Sequence, residues 1–273
     1  MAKKNDSSIQ LFDLSLFGSS NTQLLSLLKN RLKEGKFTLI FTPNPEQVIQ
    51  SRDSREFRTN LAQADILLPD GIGLVWASRL LSLRNKSAKL TARIAGREVV
   101  TDLLELADQQ NLKVLVLGGR EYPVKENSKL QTPNSKQIPI IKYQNYQSIY
   151  WLSGYQDINK PIQSEEQQIR QVIKDLRPEI VFVGFGAPAQ EKWLVDHKKL
   201  LQQAGVKLGM AVGGTFDYLL GIVSRCPRWL SNLGLEWLFR LVTQPWRLKR
   251  QLRLISFMSL VGKELFSFRI DPK

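Results

Sequence analysis

Short apolar runs alternate with helix-like stretches over the first 224 residues. Each run is typical of a β-strand, and most stop at a glycine or proline turn. The runs are Thr38–Thr42, Ala64–Leu68, Lys113–Leu117, Glu179–Val183 and Gly209–Val212. Because they are apolar throughout, they indicate a parallel sheet covered on both faces. The pattern therefore predicts an α/β fold: a Rossmann-like, mostly parallel sheet with helices on both faces.

A polar segment interrupts this alternation between about residues 120 and 163. It contains four prolines, and aromatic residues are interleaved along it at Tyr143, Tyr146, Tyr150, Trp151 and Tyr155. Prolines remove backbone donors and break regular elements. We expect a long irregular excursion here, with at most short helices or strands.

The pattern changes again after residue 224. Leu230, Leu233, Trp237 and Leu241 recur at steps of three and four residues, which indicates an amphipathic helix. Pro245 interrupts this pattern and is expected in the first turn of a further helix. The sequence thus divides into a core, residues 1–224, and a helical C-terminal appendage, residues 225–273.

Charge separates the appendage from the core. The chain carries 39 Lys and Arg against 25 Asp and Glu, a net charge of +14. Residues 225–273 hold ten basic and three acidic residues, so the appendage accounts for half of that charge. Such a segment attracts nucleic acid, phospholipid head groups or a phosphate-bearing substrate, or it is simply a solvated basic surface.

The remaining composition limits the compartment and the class of protein. The single cysteine, Cys226, excludes an internal disulfide framework and suits a reducing environment. We find no secretory signal and no run near the roughly 20 apolar residues that a membrane-spanning helix needs. We therefore expect a soluble or membrane-surface protein. Exposed apolar residues would serve either a subunit contact or a lipid surface.

Polar groups follow the predicted strands at the points where the strands end. A hydroxyl and an amide, Thr42 and Asn44, follow the first, and a carboxylate, Asp70, follows the second. Gly118 follows the third. The fourth leads through Gly186 to a helix start that bears Gln190 and Glu191. The fifth leads to a helix start that bears Thr215 and Asp217. Glycines admit close backbone approach and helix N-termini favour anions, so these loops make a plausible nucleotide-diphosphate site.

Each of these residues also has a purely structural interpretation. Thr42 and Asn44 would shape a turn, and Asp70 would cap a helix. Glu191 and Asp217 would be satisfied first-turn carboxylates. His197, the only histidine, lies in a polar helical run and is expected to be exposed rather than catalytic.

Several familiar chemistries lack their motifs. The chain has neither a G-x-G-x-x-G fingerprint nor a Walker A loop, which weakens dinucleotide and ATP hypotheses. One histidine and one cysteine do not make a usual zinc site. The chain also lacks an Asp-x-Asp pair to hold Mg²⁺. If the protein breaks a sugar–diphosphate bond, arginines or helix dipoles would therefore have to stabilise the leaving group. We expect no metal and no cofactor.

A series of motifs carries a family resemblance. In order along the chain they are Thr42-Pro-Asn44, Leu68-Pro-Asp70-Gly71-Ile-Gly73, Arg93-Ile-Ala-Gly96, Gly186-Ala-Pro188-x-Gln190-Glu191-Lys192-Trp193, Gly213-Gly-Thr-Phe-Asp217, Arg225-x-Pro-Arg228-Trp229, Gly234-Leu-Glu236-Trp237-Leu-x-Arg240-Leu and Pro245-x-Arg247. The chain resembles the WecG/TagA/CpsF family of bacterial glycosyltransferases from about Thr38 to Arg250.

The resemblance implies an inverting, metal-independent transferase. It would move an N-acetylmannosamine-type sugar from a UDP-sugar to a polyprenyl-diphosphate-linked N-acetylglucosamine. Its products would serve wall teichoic acid, common antigen or capsule synthesis. It would act in the cytoplasm, peripherally on the inner face of the cell membrane, with the anionic membrane surface as a partner. The donor sugar, whether N-acetylmannosamine, its uronic acid or glucose, stays open.

Residue roles follow from the same resemblance. Asp70 would be the general base, and Thr42, Asn44, Arg93 and Gln190 would be pocket residues. Three arginines of the appendage would close over the site and meet the diphosphate: Arg240, Arg247 and Arg250. Two alternatives remain: a nucleic-acid-binding protein that uses the basic tail, and an inactive relative of the family that scaffolds a polysaccharide complex.

Overall fold

A computed structural model of the chain describes residues 8–85, 89–119, 122, 124–130, 138–141, 146, 148–224, 226–227, 230, 236–243 and 248–266. The strands are β1 (Ser8–Leu11), β2 (Leu14–Phe17), β3 (Thr38–Phe41), β4 (Ile66–Leu67), β5 (Val114–Gly118), β6 (Val124–Leu130), β7 (Ile138–Ile141), β8 (Ile149–Leu152), β9 (Ile180–Gly184) and β10 (Leu208–Ala211). The helices are α1 (Asn21–Lys33), α2 (Pro45–Asp53), α3 (Arg55–Ala62), α4 (Ile72–Asn85), α5 (Gly96–Gln109), α6 (Gln163–Leu176), α7 (Ala189–Asp196), α8 (Lys198–Gln203), α9 (Thr215–Leu219), α10 (Glu236–Thr243) and α11 (Leu248–Phe266).

The strands form one continuous sheet in the order β1-β2-β4-β3-β10-β9-β5-β8-β7-β6. The seven strands from β2 to β8 in that order pair in parallel. The pairs β1–β2, β7–β8 and β6–β7 are antiparallel and lie at the two sides of the sheet. A parallel sheet needs helical crossovers, and those crossovers cover its faces.

Alternate residues of the central strands enter two separate cores. Leu39 and Phe41 of β3 pack with α2, α3, α4, α6, α7, α8 and α11 on one face. Ile40 between them packs with α1, α5 and α9 on the other face. All three side chains are fully buried. This explains why the strands are apolar at every position, and it confirms the predicted Rossmann-like fold with helices on both faces.

The excursion contributes more order than its prolines suggested. Its last strand, β8, pairs in parallel with β5 and so widens the central sheet. β6 and β7 then extend that side as an antiparallel pair. The expected excursion with at most short strands thus contains β8, a strand of four residues whose Ile149 and Tyr150 are buried against the core. Residues 120–121, 123, 131–137, 142–145 and 147 lie outside the described residues.

The last helix folds back onto the core. α11 lies against α2 and α4, and its Phe257 and Val261, one turn apart, are buried between them. The Phe257 ring meets Phe12 edge-on, with 5.5 Å between centroids. Arg253 of α11 pairs with Glu46 in the first turn of α2, with 3.3 Å between Nη1 and Oε1. The appendage therefore contributes buried side chains to the hydrophobic core on that face of the sheet.

Candidate active site

The loops singled out in the sequence meet at one edge of the sheet. β4, β3, β10, β9 and β5 are neighbours and run in parallel, so their carboxyl ends share that edge. Such an edge is where open α/β sheets bind ligands. Backbone bonds hold neighbouring loops together: the Asp70 N–H donates to the Pro43 carbonyl at 3.0 Å, and the Ile94 N–H donates to the Pro69 carbonyl at 3.1 Å.

Asp70 lies between the end of β4 and the start of α4. Its Oδ1 accepts a hydrogen bond from Nε of Arg93 at 3.2 Å, and both side chains are partly exposed, Asp70 to 31% and Arg93 to 23%. The loop before α5 supplies this arginine. The structure therefore brings together the carboxylate and the arginine that lie 23 residues apart in the chain, at a place that a substrate can reach.

Thr42 and Asn44, which follow β3, both have packing or capping roles. A methyl group at Gly96 would lie 3.0 Å from Cγ2 of Thr42, so the first residue of α5 rests directly on that threonine. The side chain of Asn44 caps α2 by accepting from the Gln47 N–H at 2.9 Å. The Asn44 N–H donates in turn to Oε1 of Gln47 at 3.1 Å, which completes a capping box. Asn44 thus has a structural role as a helix cap.

Gln190 and Glu191 belong to a buried network that joins the two halves of the edge. Oε1 of Glu191 accepts from the side-chain amides of Gln190, at 2.9 Å, and Gln47, at 3.2 Å. The side-chain oxygen of Gln190, Oε1, in turn accepts from the Gly213 N–H at 3.0 Å. The network thus connects the first turns of α2 and α7 to the loop after β10.

Burial changes the acid–base properties of Glu191. The residue is only 1% exposed, and its second carboxylate oxygen, Oε2, has no hydrogen-bond partner among the residues that the structure describes. Burial disfavours the charged form and raises the pKa of Glu191 to about 7, although the amides of Gln190 and Gln47 lower it in part. Glu191 therefore supports the loops from beneath, rather than lining an open surface.

Gly118 packs directly against an aromatic ring. A methyl group at Gly118 would lie 2.7 Å from the Phe185 ring, and one at Gly154 would lie 2.6 Å from it. Both glycines have positive φ, 87° and 82°. Phe185 follows β9 and thus fits between the ends of β5 and β8, so two glycines and one phenylalanine form a single packing unit.

The remaining predicted residues lie in the loops after β9 and β10. The Thr215 hydroxyl donates to the Val212 carbonyl at 2.7 Å, so it closes the turn that leads into α9. Asp217 accepts a hydrogen bond from the Tyr122 hydroxyl at 3.0 Å. Gly186 has a φ of 80°, and a methyl group there would meet no atom of the described part of the chain within 4 Å. Backbone conformation therefore accounts for the glycine at this position, since no neighbouring atom excludes a side chain.

Comparison with known proteins agrees with this arrangement. The sequence model of the glycosyl transferase WecG/TagA/CpsF family matches residues 9–270. The chain belongs to that family. It is a glycosyltransferase.

Two curated relatives share one name, N-acetylglucosaminyldiphosphoundecaprenol N-acetyl-beta-D-mannosaminyltransferase. The relative from Bacillus subtilis (strain 168) is 31% identical over 255 residues, which cover 93% of this glycosyltransferase and 91% of the relative. The relative from Bacillus spizizenii (strain ATCC 23059 / NRRL B-14472 / W23) is 30% identical over 251 residues, covering 92% and 89%.

The appendage arginines are only partly located. Arg240 lies in α10 and Arg250 in α11, but the side chains of both lie outside the described residues, as does the whole of Arg247. α11 itself reaches the edge of the site, since its Phe257 ring lies 3.8 Å from the position that a methyl group on Gly73 would occupy. Gly73 follows Asp70 by three residues.

The prediction that His197 is exposed is wrong. The ring is only 8% exposed and stacks on Trp193, with 4.1 Å between centroids. Its Nε2 lies 2.8 Å from Oε1 of Glu166, a carboxylate that also accepts from Tyr155. Burial raises the pKa of Glu166, but the hydrogen bonds from Tyr155 and His197 outweigh it, and the net pKa is lowered. His197, at the end of α7, thus joins that helix to α6.

Sequence reasoning missed three residues that shape the site: Gln47, Phe185 and Tyr122. Only Gln47 had a usable signal, because Asn44-x-x-Gln47 before a helix is a capping-box spacing. Within the described ranges, no three His, Cys, Asp or Glu side chains are grouped as a metal would require. In the same ranges, no helix combines the length and apolar character needed to cross a membrane.

Proposed function

We propose that this glycosyltransferase moves an N-acetylmannosamine-type sugar from a UDP-sugar to a polyprenyl-diphosphate-linked N-acetylglucosamine. The relatives' names support both the transferred sugar and the lipid-linked acceptor, since the matches cover nearly the whole of each chain. The product would enter a cell-surface polysaccharide such as wall teichoic acid, common antigen or capsule.

The observation that supports the mechanism is the position of Asp70. It lies at the carboxyl edge of the sheet, partly exposed, with Oδ1 held by Arg93. In the proposed step, Oδ2 of Asp70 takes the proton of the acceptor hydroxyl. The hydroxyl oxygen of the acceptor attacks the anomeric carbon of the donor sugar from the face opposite UDP. The bond between the sugar and UDP breaks, UDP leaves with the electron pair, and the configuration is inverted.

The departing diphosphate requires positive charge. Arginine makes bidentate contacts with phosphate, and fixed cations stabilise charge that develops in the transition state. We assign this role to Arg240, Arg247 and Arg250 of the appendage. That α11 packs next to Gly73, close to Asp70 in the chain, supports the assignment. These cations take the place of a metal in the proposal, so transfer should not require one.

The cellular position follows from the acceptor. A polyprenyl-linked substrate lies in a membrane, while UDP-sugars are cytoplasmic. We therefore place the enzyme peripherally on the inner face of the bacterial cell membrane, with the appendage as a membrane element. The basic charge of residues 225–273 suits an anionic lipid surface. We propose no nucleic-acid partner.

A transfer assay tests the whole proposal. Purified enzyme is incubated with a short-chain polyprenyl-diphospho-N-acetylglucosamine and a panel of UDP-sugars, in the presence and absence of EDTA. Transfer from UDP-N-acetylmannosamine with EDTA present is the expected result. Transfer from another donor alone would reassign the sugar, and activity that EDTA abolishes would contradict metal independence.

UDP binding supplies the complementary measurement. Calorimetry with UDP, under the same conditions, separates failure to bind the donor from failure to use the acceptor. UDP binding without transfer would mean that the acceptor is wrong. Absence of UDP binding would overturn the proposed donor class.

A further inference from the structure

An apolar stripe runs along the outer side of α4. Ile72, Trp76, Leu80 and Leu83 are exposed, at spacings of three and four residues, so they share one face of the helix. Trp76 is 65% and Leu83 81% exposed. Scattered exposed apolar residues need no explanation, whereas a contiguous row on one helix face does.

The stripe has apolar neighbours on the appendage. α11 packs against α4, and it exposes Leu252, Ile255, Met258 and Phe266 while burying Phe257 and Val261. α10, which contacts α11, exposes Leu238 and Val242. Three adjoining helices, one from the core and two from the appendage, thus present large apolar side chains to the outside.

Charge distinguishes between the occupants that such a surface could have. α4 carries two arginines and no acidic residue, and α10 and α11 add five basic residues against two acidic ones. A second copy of this surface would bring like charges together, which opposes self-association. An anionic lipid surface would receive the apolar side chains and attract the basic ones.

Position connects the stripe to the chemistry. Ile72 begins α4 and follows Asp70 by two residues, so the stripe starts at the mouth of the site. A helix that rests on a bilayer along this stripe would hold the Asp70 loop at the level of the lipid head groups.

We infer that α4, a helix of the catalytic core, is itself a membrane-contacting element, and that it forms with α10 and α11 one docking surface for an anionic bilayer. The inference rests on the proposed function, because a lipid-linked acceptor is what makes this orientation productive. It goes beyond that function in assigning membrane contact to the core as well as the appendage.

The first test removes the stripe. A variant with Trp76→Gln, Leu80→Gln and Leu83→Gln is compared with Ile162→Gln, which removes an exposed apolar residue before α6. Both are assayed for cosedimentation with vesicles of phosphatidylglycerol and phosphatidylcholine in equal parts. We expect the stripe variant to lose at least about tenfold in partitioning, since each buried aliphatic or aromatic side chain contributes substantially to binding. Equal partitioning of the two variants would overturn the inference.

A second measurement does not depend on removing side chains. Leu83→Cys in a Cys226→Ser chain is labelled with an environment-sensitive fluorophore, and Glu105→Cys on α5, on the opposite face of the sheet, serves as the matched control. The expected result is a blue shift at position 83 and none at 105 when vesicles are added. A shift at both positions, or at neither, would contradict a defined docking face.

Two further readouts separate the competing explanations. Sedimentation equilibrium without vesicles reports self-association. A stripe variant that becomes more monomeric while vesicle binding is unchanged would assign the stripe to a second copy and overturn the inference. Transfer to the short-chain acceptor in solution should be unchanged in the stripe variant. If the unsubstituted enzyme itself showed no transfer, that result would count against the proposed function and not against the docking surface.

Discussion

Nε of Arg93 lies 3.2 Å from Oδ1 of Asp70, and this ion pair joins the loop after β4 to the loop before α5. Neither loop fixes the carboxylate alone. The arginine restrains one carboxylate oxygen and thereby orients the other, which is the arrangement that a general base needs. Two predictions depend on this pair.

Asp70→Asn should lower the rate of transfer by at least about a hundredfold, because general-base catalysis contributes that much or more. The amide preserves the shape of the side chain, so UDP affinity and the melting temperature should change little. Turnover is measured with the short-chain acceptor and UDP binding by calorimetry. Asp108→Asn, an exposed carboxylate on α5, is the control. Full activity in the Asp70 variant would remove it as the base.

Arg93→Ala should lower kcat more than Arg93→Lys does. Lysine retains a positive charge near Asp70 but lacks the planar guanidinium that fixes the carboxylate's orientation. The steady-state kcat and KM of the two variants are compared with those of the unsubstituted enzyme. Equal values of kcat in the two variants would contradict this expectation, because they would mean that a positive charge without the guanidinium contributes nothing at this position.

Gly184→Ala should destabilise the fold, because its methyl group would lie 2.8 Å from the backbone carbonyl oxygen of Gly213. Neither atom can move without shifting a strand end. We expect a loss of about 1–3 kcal/mol in the free energy of unfolding. Gly262→Ala in α11, where a methyl group would meet no atom within 4 Å, is the matched control. It should gain up to about 1 kcal/mol from helix propensity. Urea denaturation measures both.

Glu191 should make stability depend on pH. Its native pKa of about 7 lies above the ordinary value of 4.5, so the folded state binds the proton more tightly. That contribution to stability is fully present below about pH 4.5 and is lost as the pH rises through about 7. Relative to Glu191→Gln, which cannot ionise, the unsubstituted protein should lose on the order of 2–3 kcal/mol between pH 5 and 8. A pH-independent difference in urea midpoints would contradict this assignment.

Phe257→Ala should loosen α11 from the core. The side chain is 2% exposed and packs between α2 and α4, while its neighbour Met258 is 66% exposed. Limited proteolysis should cut the variant faster within residues 248–266, and its transfer activity should fall. Met258→Ala in the same turn should be cut no faster than the unsubstituted chain. Faster cleavage of both variants would indicate that the helix, rather than its packing, had been disturbed.

The sequence predicted the parts of the fold that depend on local pattern. Apolar runs located β3, β4, β5, β9 and β10 to within about two residues, because buried parallel strands have that composition. The place of β8 in the central sheet was not predicted, because its residues, Ile149 to Leu152, lie in a polar, proline-rich segment and join the sheet by pairing with β5. That pairing is a tertiary contact with no local signature.

For the site, too, the sequence predicted only what depends on local pattern. Polar residues after strand ends placed Asp70 at the edge of the sheet. What could not be predicted is which side chains meet there. The bond between Gln47 and Glu191 spans 144 residues, and His197 is buried by Trp193 and Glu166 although its own neighbours are polar. Long-range packing decides such contacts.

The fit of Phe185 between Gly118 and Gly154 sets a rule for how related sequences can differ. Both glycines have positive φ, 87° and 82°, so alanine would be strained at either position even beside a residue smaller than phenylalanine. The ring adds a second constraint, because a methyl group on either glycine would lie within 2.7 Å of it. Related sequences should therefore keep both glycines, and the position of Phe185 is the one of the three where a smaller side chain brings no backbone strain.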